Sequence, residues 1–308
     1  MLSNFFAVFQ QVLILFLLIM MGFIFNKTGK LSKSSCKHIS DIVVTFVTPC
    51  VIIKSFIRDY EPSMMKMLCL ALGLSVILHL IMIAVSKMVM RYPDESKRRI
   101  MTFAAVFSNA GFIGLPLQEA LLGADGVFYG AAYVVVFNIV LWSFGVVEMS
   151  GDRSMVTPRK LLVSPGIVGV VVGVILFAFS VKVPVVIGSA IDYVASLNVP
   201  LPMFVVGYYL AEADLLQALK DKSMYFCMAL RLVIYPLGAI LLLKLLNIDS
   251  TLAIALAVAV SSPVAATTSM FSEKFAGNTD LSVKLVAVST LVSVLTMPCM
   301  IALAQLII

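Results

Sequence analysis

Asn109 stands in the run Ser108-Asn109-Ala110-Gly111-Phe112-Ile113-Gly114-Leu115-Pro116, inside an apolar stretch long enough to cross a bilayer. Two glycines and a proline weaken or break a membrane helix. Hydrocarbon cannot hydrogen-bond the freed backbone groups, so such a break survives only against protein or a water-filled cavity. The second half of a broken helix begins with unpaired N–H groups, which carry about half a positive charge and hold carboxylates well. Here those groups belong to Ala110 and Gly111, beside an amide on Asn109 that both donates and accepts. A second break, Ser261-Ser262-Pro263-Val264-Ala265-Ala266-Thr267-Thr268, follows 153 positions after the first, from 108 to 261. Pro263 has no N–H, which leaves a carbonyl of the first half-helix unbonded, and the next half starts near Val264. Two such ends facing one cavity favour an organic anion without any buried lysine. The bland alternatives are interhelical glue for Asn109 and bonding of Ser261, Ser262, Thr267 and Thr268 to carbonyls of the preceding turn. Gly111 and Gly114 fit close helix approach better than substrate contact.

Ionisable groups at membrane depth are few, so each is weighed. His79 falls near the centre of an apolar span, and its ordinary pKa suits proton exchange near neutrality; a packed, hydrogen-bonded histidine is the alternative. Arg231 lies about two turns into another span, able to pair with substrate or with a carbonyl. Asp41 and Glu148 sit near span ends that share one side and could form a structural pair or a gate. Lys54 snorkels near the other side. No concentrated Asp/Glu/Asn set of the kind a sodium site prefers is visible, and no Cys or His spacing suggests a metal.

The positions above need a membrane scaffold, and the composition supplies one. The 308 residues are 61% hydrophobic and 12% charged, with mean hydropathy +1.09, against about 45–50% and about 25% in soluble domains. The net charge of +6 reflects basic loops rather than nucleic-acid binding. Ten spans of roughly 20 residues are expected near 5–25, 39–57, 67–88, 100–122, 127–149, 164–180, 186–211, 223–246, 251–274 and 281–307. The odd-numbered loops hold sixteen Lys and Arg, among them Arg159 and Lys160, and the even-numbered loops hold three. That bias puts the odd loops in the cytoplasm and both termini outside it. Five spans per half make the second half enter from the opposite side, so 1–150 and 151–308 read as inverted five-helix repeats. Pro49 and Pro202 share the 153-residue offset of the two breaks. Inverted repeats imply alternating access around a central site.

The run from Phe103 to Leu117, with Asn109 and the Gly114-Leu115-Pro116 that follows it, resembles the fourth-helix motif of the auxin efflux carrier family, which includes the plant carriers and bacterial permeases. Ser262-Pro263 followed by Met270-Phe271-Ser272-Glu273-Lys274-Phe275 is similar to that family's ninth-helix crossover. Arg231-Leu232 with Pro236, Ser164-Pro165, and Asn138 before Trp142 fall where the family has similar features. The resemblance implies a scaffold of spans 1, 2, 6 and 7 that often makes a dimer contact. It implies a moving domain of spans 3–5 and 8–10, with spans 4 and 9 crossing at the breaks. It also implies that Asn138 points to the substrate region.

These readings converge on a secondary transporter of a small organic anion in the cytoplasmic membrane, with no cofactor and with proton or sodium coupling left open. Ser108, Gly114 and Pro116 shape the crossover, while Asn109, Ala110, Gly111, Asn138, Ser262, Pro263 and Val264 contact the substrate. Rival readings are a sodium-coupled symporter of the bile-acid type and a membrane sensor, although a sensor should carry a soluble output domain. An intramembrane enzyme would need a nucleophile with a base at matching depth, and His38 and His79 lie at different depths.

Overall fold

The computed structural model describes residues 2–156, 164–218, 220–276 and 279–308; Arg159 and Lys160 lie outside them. Among the described residues every named element is helical: α1 (Leu2–Lys27), α2 (Lys33–Ile42), α3 (Thr48–Phe56), α4 (Pro62–Val89), α5 (Glu95–Val106), α6 (Leu115–Val140), α7 (Val146–Ser150), α8 (Pro165–Ala178), α9 (Val185–Ser196), α10 (Pro200–Glu212), α11 (Leu215–Ala218), α12 (Lys222–Ala229), α13 (Tyr235–Leu245), α14 (Ser250–Ser261), α15 (Thr267–Phe271) and α16 (Thr279–Ile307). Seven helical stretches are long and apolar enough to span a membrane, and two apolar helices, α8 and α14, are shorter. The chain is a multi-pass membrane protein.

Ten expected spans and seven long stretches differ for local reasons. The stretch Ala110–Ser150 contains a reversal at Gly123, whose φ of 64° and ψ of −149° leave helical geometry. A left-handed φ suits glycine. In a straight helix, residues 118 and 130 would lie about 18 Å apart. Instead the side-chain oxygen of Gln118 fills the space where a Cβ on Gly130 would sit, and the Gln118 carbonyl lies 2.5 Å from the corresponding position on Gly126. The two arms of α6 therefore pack side by side. The helix α14 is short because it is only the first half of a broken one.

Prolines shape the helices in a repeated way. Wide π turns at Val43–Val47, Ala110–Gly114 and Leu230–Ile234 each end two residues before Pro49, Pro116 and Pro236. A proline ring collides with the carbonyl four residues back; those carbonyls, of Thr45, Phe112 and Leu232, lie inside the widened turns, which relieve the collision. Pro202 instead occupies the first turn of α10, where a missing N–H costs nothing.

Loop contacts gather the connections into two sets. At one end Lys33 pairs with Glu273, Lys97 with Asp221 and Lys87 with Glu148. Ser96 donates to the Ala276 carbonyl there, and Asn26 to Glu212. At the other end Arg58 pairs with Asp125, Lys54 lies near both Glu119 and Asp192, and Ser180 accepts from the Tyr60 N–H. The first set joins the lysine-rich loops, and is called the basic end below. Packing pairs α1 with α10 and α3 with α8, and sets α14 against α6, α13 and α16; α16 also lies against α1 and α10, and α6 against α3 and α8. A Cβ on Gly22 would stand 2.6 Å from the Phe204 backbone, so α1 and α10 meet backbone to backbone.

Candidate functional site at the helix crossover

The two breaks meet. Helix α5 ends at Val106, and α14 ends at Ser261 because Pro263 cannot continue it; Ser262 is extended, with ψ 146°, as a residue before proline prefers. Ser108 and Val264 then form an antiparallel pair. The Asn109 N–H donates to the Pro263 carbonyl at 2.7 Å, and the Ala265 N–H to the Phe107 carbonyl at 2.9 Å. The Val264 N–H finds the Ser289 hydroxyl at 3.1 Å. The freed N–H groups of Asn109, Ala265 and Val264 thus have protein partners, which is what a break in hydrocarbon requires. Gly114 faces Ser262, whose hydroxyl would lie 3.1 Å from a Cβ at that glycine; the Ser262 hydroxyl itself donates to Val258 O at 3.0 Å.

The polar groups at this pairing are buried and many lack partners. Asn109 is 5% exposed, and its side-chain N–H₂ has no protein acceptor; the hydroxyls of Ser261, Thr267, Thr268 and Ser269 are likewise unpaired. No side chain caps the turn beginning at Ala110, nor α15. The Thr268 and Ser269 N–H groups turn to the Ala265 and Ala266 carbonyls, and those of Ile113 and Gly114 to the Asn109 carbonyl. What each half-helix presents are therefore the N–H groups ahead of these, with Gly111 in the first of the two turns. Each unpaired buried amide or hydroxyl costs about 1–3 kcal/mol; a ligand that accepts from them removes that penalty.

Arg231 is fully buried and lies behind the crossover. It donates to the carbonyls of Ala105 at 3.2 Å and Val106 at 3.1 Å, and to that of Val260. Of the two possibilities left open for Arg231, carbonyl pairing is what the structure contains. His79, also fully buried, places Nδ1 2.8 Å from the Ser75 carbonyl, leaves Nε2 unpartnered, and lies tilted against the Tyr133 ring with centroids 4.6 Å apart. The Tyr133 hydroxyl lies 3.3 Å from that of Ser108, so His79 reaches the crossover through one tyrosine.

Other expected members lie elsewhere. Asn138 donates to Val134 O at 2.8 Å, one turn back, and its amide nitrogen lies 3.3 Å from the Cβ position of Gly166 in α8. It faces the start of α8, and no hydrogen bond joins it to Asn109 among the described residues. Asp41 is exposed. Glu148 pairs with Lys87 at 3.2 Å, which corrects the expected Asp41–Glu148 pair: Lys87 brings a cation to the buried carboxylate, whereas two carboxylates would repel. Pro49 and Pro202 remain in the α3 and α10 packing, away from the crossover. Gln118 was not anticipated, although a glutamine in an apolar span is itself a signal; it donates to Ala255 O at 2.7 Å and ties the second half of the first broken helix to α14. Tyr133 and Ser289 carry no comparable signal.

A cavity of about 660 Å³ opens at the basic end, between α2 and α10 on one side and α15 and α16 on the other. Lys33, Lys37 and Lys274 line it, with Trp142, Tyr208 and Tyr209, and it reaches Ser269 of the second half-helix. Asn109 and Pro263 are not among its walls; the crossover itself is sealed in this conformation.

The sequence pattern of the family described as membrane transport protein matches residues 7–155 and, a second time, residues 152–301. The chain belongs to this family, that of the auxin efflux carriers. The double match falls on the two halves, each with one break. A protein of Methanothermobacter thermautotrophicus named an uncharacterized transporter is 24% identical over 314 residues, covering 94% of this chain and 96% of the relative. As an auxin efflux carrier family member the chain is a transporter, and its two half-helix starts and unpaired hydroxyls are where family and geometry meet.

Proposed function

We propose that this transporter moves a small organic anion across the cytoplasmic membrane by alternating access, with the anion bound at the crossover. The observation that carries the reading is the pairing of the two breaks. It sets two uncapped half-helix starts beside the unpartnered Asn109 amide and four unpartnered hydroxyls. Two half-charges of about +0.5 each suit one carboxylate, and Ala110, Gly111 and Val264 bring backbone close to it. The ligand needs no chemistry done on it, only binding and a swing.

The topology we propose has ten passes in two inverted five-helix repeats, 1–150 and 151–308, with both termini outside the cytoplasm. The reversal at Gly123, the two sets of loop contacts and the doubled family match support it. In this topology the α1–α10 and α3–α8 pairs form a scaffold, and the α4–α7 and α12–α16 unit moves against it where α16 meets α1 and α10 and where α6 meets α3 and α8. In this conformation the basic-end cavity leads from the cytoplasm toward Ser269. A negative-inside potential drives a monoanion outward by about 2.3 kcal/mol per 100 mV.

The test is flux from proteoliposomes loaded with labelled mono- and dicarboxylates, under imposed potentials of either sign. One carboxylate should move through the protein, with its direction following the potential. Equal flux of all carboxylates with and without protein would overturn the reading.

A further inference from the structure

The first halves of both broken helices end at the same side chain. A helix leaves its last four carbonyls without backbone partners. In α5 the Phe103 carbonyl takes the Phe107 N–H, and Ala105 and Val106 turn to Arg231. In α14 Val258 accepts from the Ser262 hydroxyl, and Val260 turns to Arg231. These residues are far apart in sequence, yet one guanidinium holds all three oxygens. Among the described residues no carboxylate forms an ion pair with Arg231. The Met82 sulfur lies 3.5 Å from the guanidinium and the Tyr235 ring 5.8 Å, and the Nε–H has no partner.

A buried cation without a counter-charge is costly, so the charge must come from somewhere. Each helix C-terminus carries about half a negative charge. Two of them converging sum to about one, which balances one guanidinium. The same geometry, converging carbonyl oxygens at a helix break, is how broken-helix transporters hold a coupling metal cation. The planar fork of arginine, with several fixed donors, is suited to oxygens arriving from two directions. The wide π turn Leu230–Ile234, set by Pro236, carries it.

We propose that Arg231 is a tethered cation filling a carbonyl-lined cation site between the two half-helix ends, so that the crossover closes with no free metal cation at that place. The inference deepens the transport reading by naming what neutralises the crossover. It also makes Arg231 a positioning residue, since it touches the half-helices and not the anion.

The test is thermal unfolding of purified Arg231→Ala, without any carboxylate, in guanidinium, methylguanidinium, sodium or choline at matched ionic strength and well below denaturing concentrations. A bound ligand raises the melting temperature by mass action. Removing the side chain should empty the site. The variant should then melt lower than the wild type and recover with guanidinium or sodium in a saturable way, while choline does nothing and the wild type responds to none. A loss that no cation reverses would overturn the proposal. Arg231→Lys and Arg231→Gln provide a second readout whether or not the alanine variant folds. The lysine variant should keep more stability than the glutamine one, and equal stability in the two would show that charge is irrelevant and overturn the proposal. Neither readout depends on anion binding, so failure here and failure of the transport reading are separable.

Discussion

Gly130→Ala is a substitution whose sign depends on one side chain. Gly130 lies within the helical arm after Gly123, where alanine is favoured over glycine by about 1 kcal/mol. Propensity alone therefore makes the change stabilising. The structure opposes this, because the new Cβ would overlap the Gln118 side-chain oxygen and stand 2.7 Å from Cδ and 3.0 Å from Nε2. If the helices absorb the clash, overpacking costs about 1–3 kcal/mol. If Gln118 swings away, it loses its 2.7 Å bond to Ala255 O and leaves a buried amide unpaired, again about 1–3 kcal/mol. The net expectation is a loss of about 1 kcal/mol. In a Gln118→Ala background the clash is absent, the vacated space accepts the methyl group, and the same change should gain up to about 1 kcal/mol. The assay is denaturant unfolding in bicelles for the four members of the cycle. The expected coupling, about 2 kcal/mol, lies within the range for residues in contact. Stabilisation by Gly130→Ala in both backgrounds would refute the argued reversal at Gly123, because a straight helix never brings these residues together.

Two further predictions follow from contacts at the basic end. Burial raises the Asp221 carboxyl, but the Ser223 hydroxyl and N–H and the Lys97 ammonium together hold it below its ordinary value. A carboxyl lowered in the folded state adds stability above its unfolded pKa of about 3.9, and loses it as pH falls through the folded value. Asp221→Asn keeps a helix cap, so its stability should fall less steeply than that of the wild type on acidification below about pH 4; superimposable profiles would contradict this. Lys33 and Glu273 meet at 2.5 Å across the cavity mouth, one on α2 and one after α15. Joining Lys33→Cys to Glu273→Cys with a short bifunctional thiol reagent should arrest flux while leaving anion binding intact; unimpaired flux in the cross-linked protein would place the moving boundary elsewhere.

Much of the crossover is legible in the chain. Asn109, Gly111, Gly114, Pro116 and Pro263 cluster residues that weaken a membrane helix, and they sit at the pairing, in the turn beside it or at the start of α6. What the chain does not announce is partnership across distance. Arg231 shows a buried charge but not which carbonyls receive it, since a carbonyl has no sequence signature. Asn138 illustrates another ambiguity: a mid-helix amide can satisfy itself on the carbonyl one turn back, and here it does, facing α8. The pairing of Glu148 with Lys87 follows from how α4 and α7 approach each other, which the periodicity of neither helix fixes. The basic-end cavity is assembled from α2, α10, α15 and α16 and from Trp142, and no local run among them marks it. Gln118 was the readable omission, because an amide in an apolar run needs an acceptor.

The central claim is that the paired breaks hold an anion through Asn109 and the half-helix starts. The direct measurement is thermal stabilisation of the purified protein by a panel of carboxylates, for wild type and Asn109→Ala, with and without sodium. Ligand at 100 times its dissociation constant should add about 2.7 kcal/mol to the folded state. The account predicts a selective rise in melting temperature with one class of carboxylate, independent of sodium and lost in Asn109→Ala, whose own melting temperature stays near that of the wild type. An unchanged carboxylate response in Asn109→Ala would contradict it, and so would the absence of any response in the wild type.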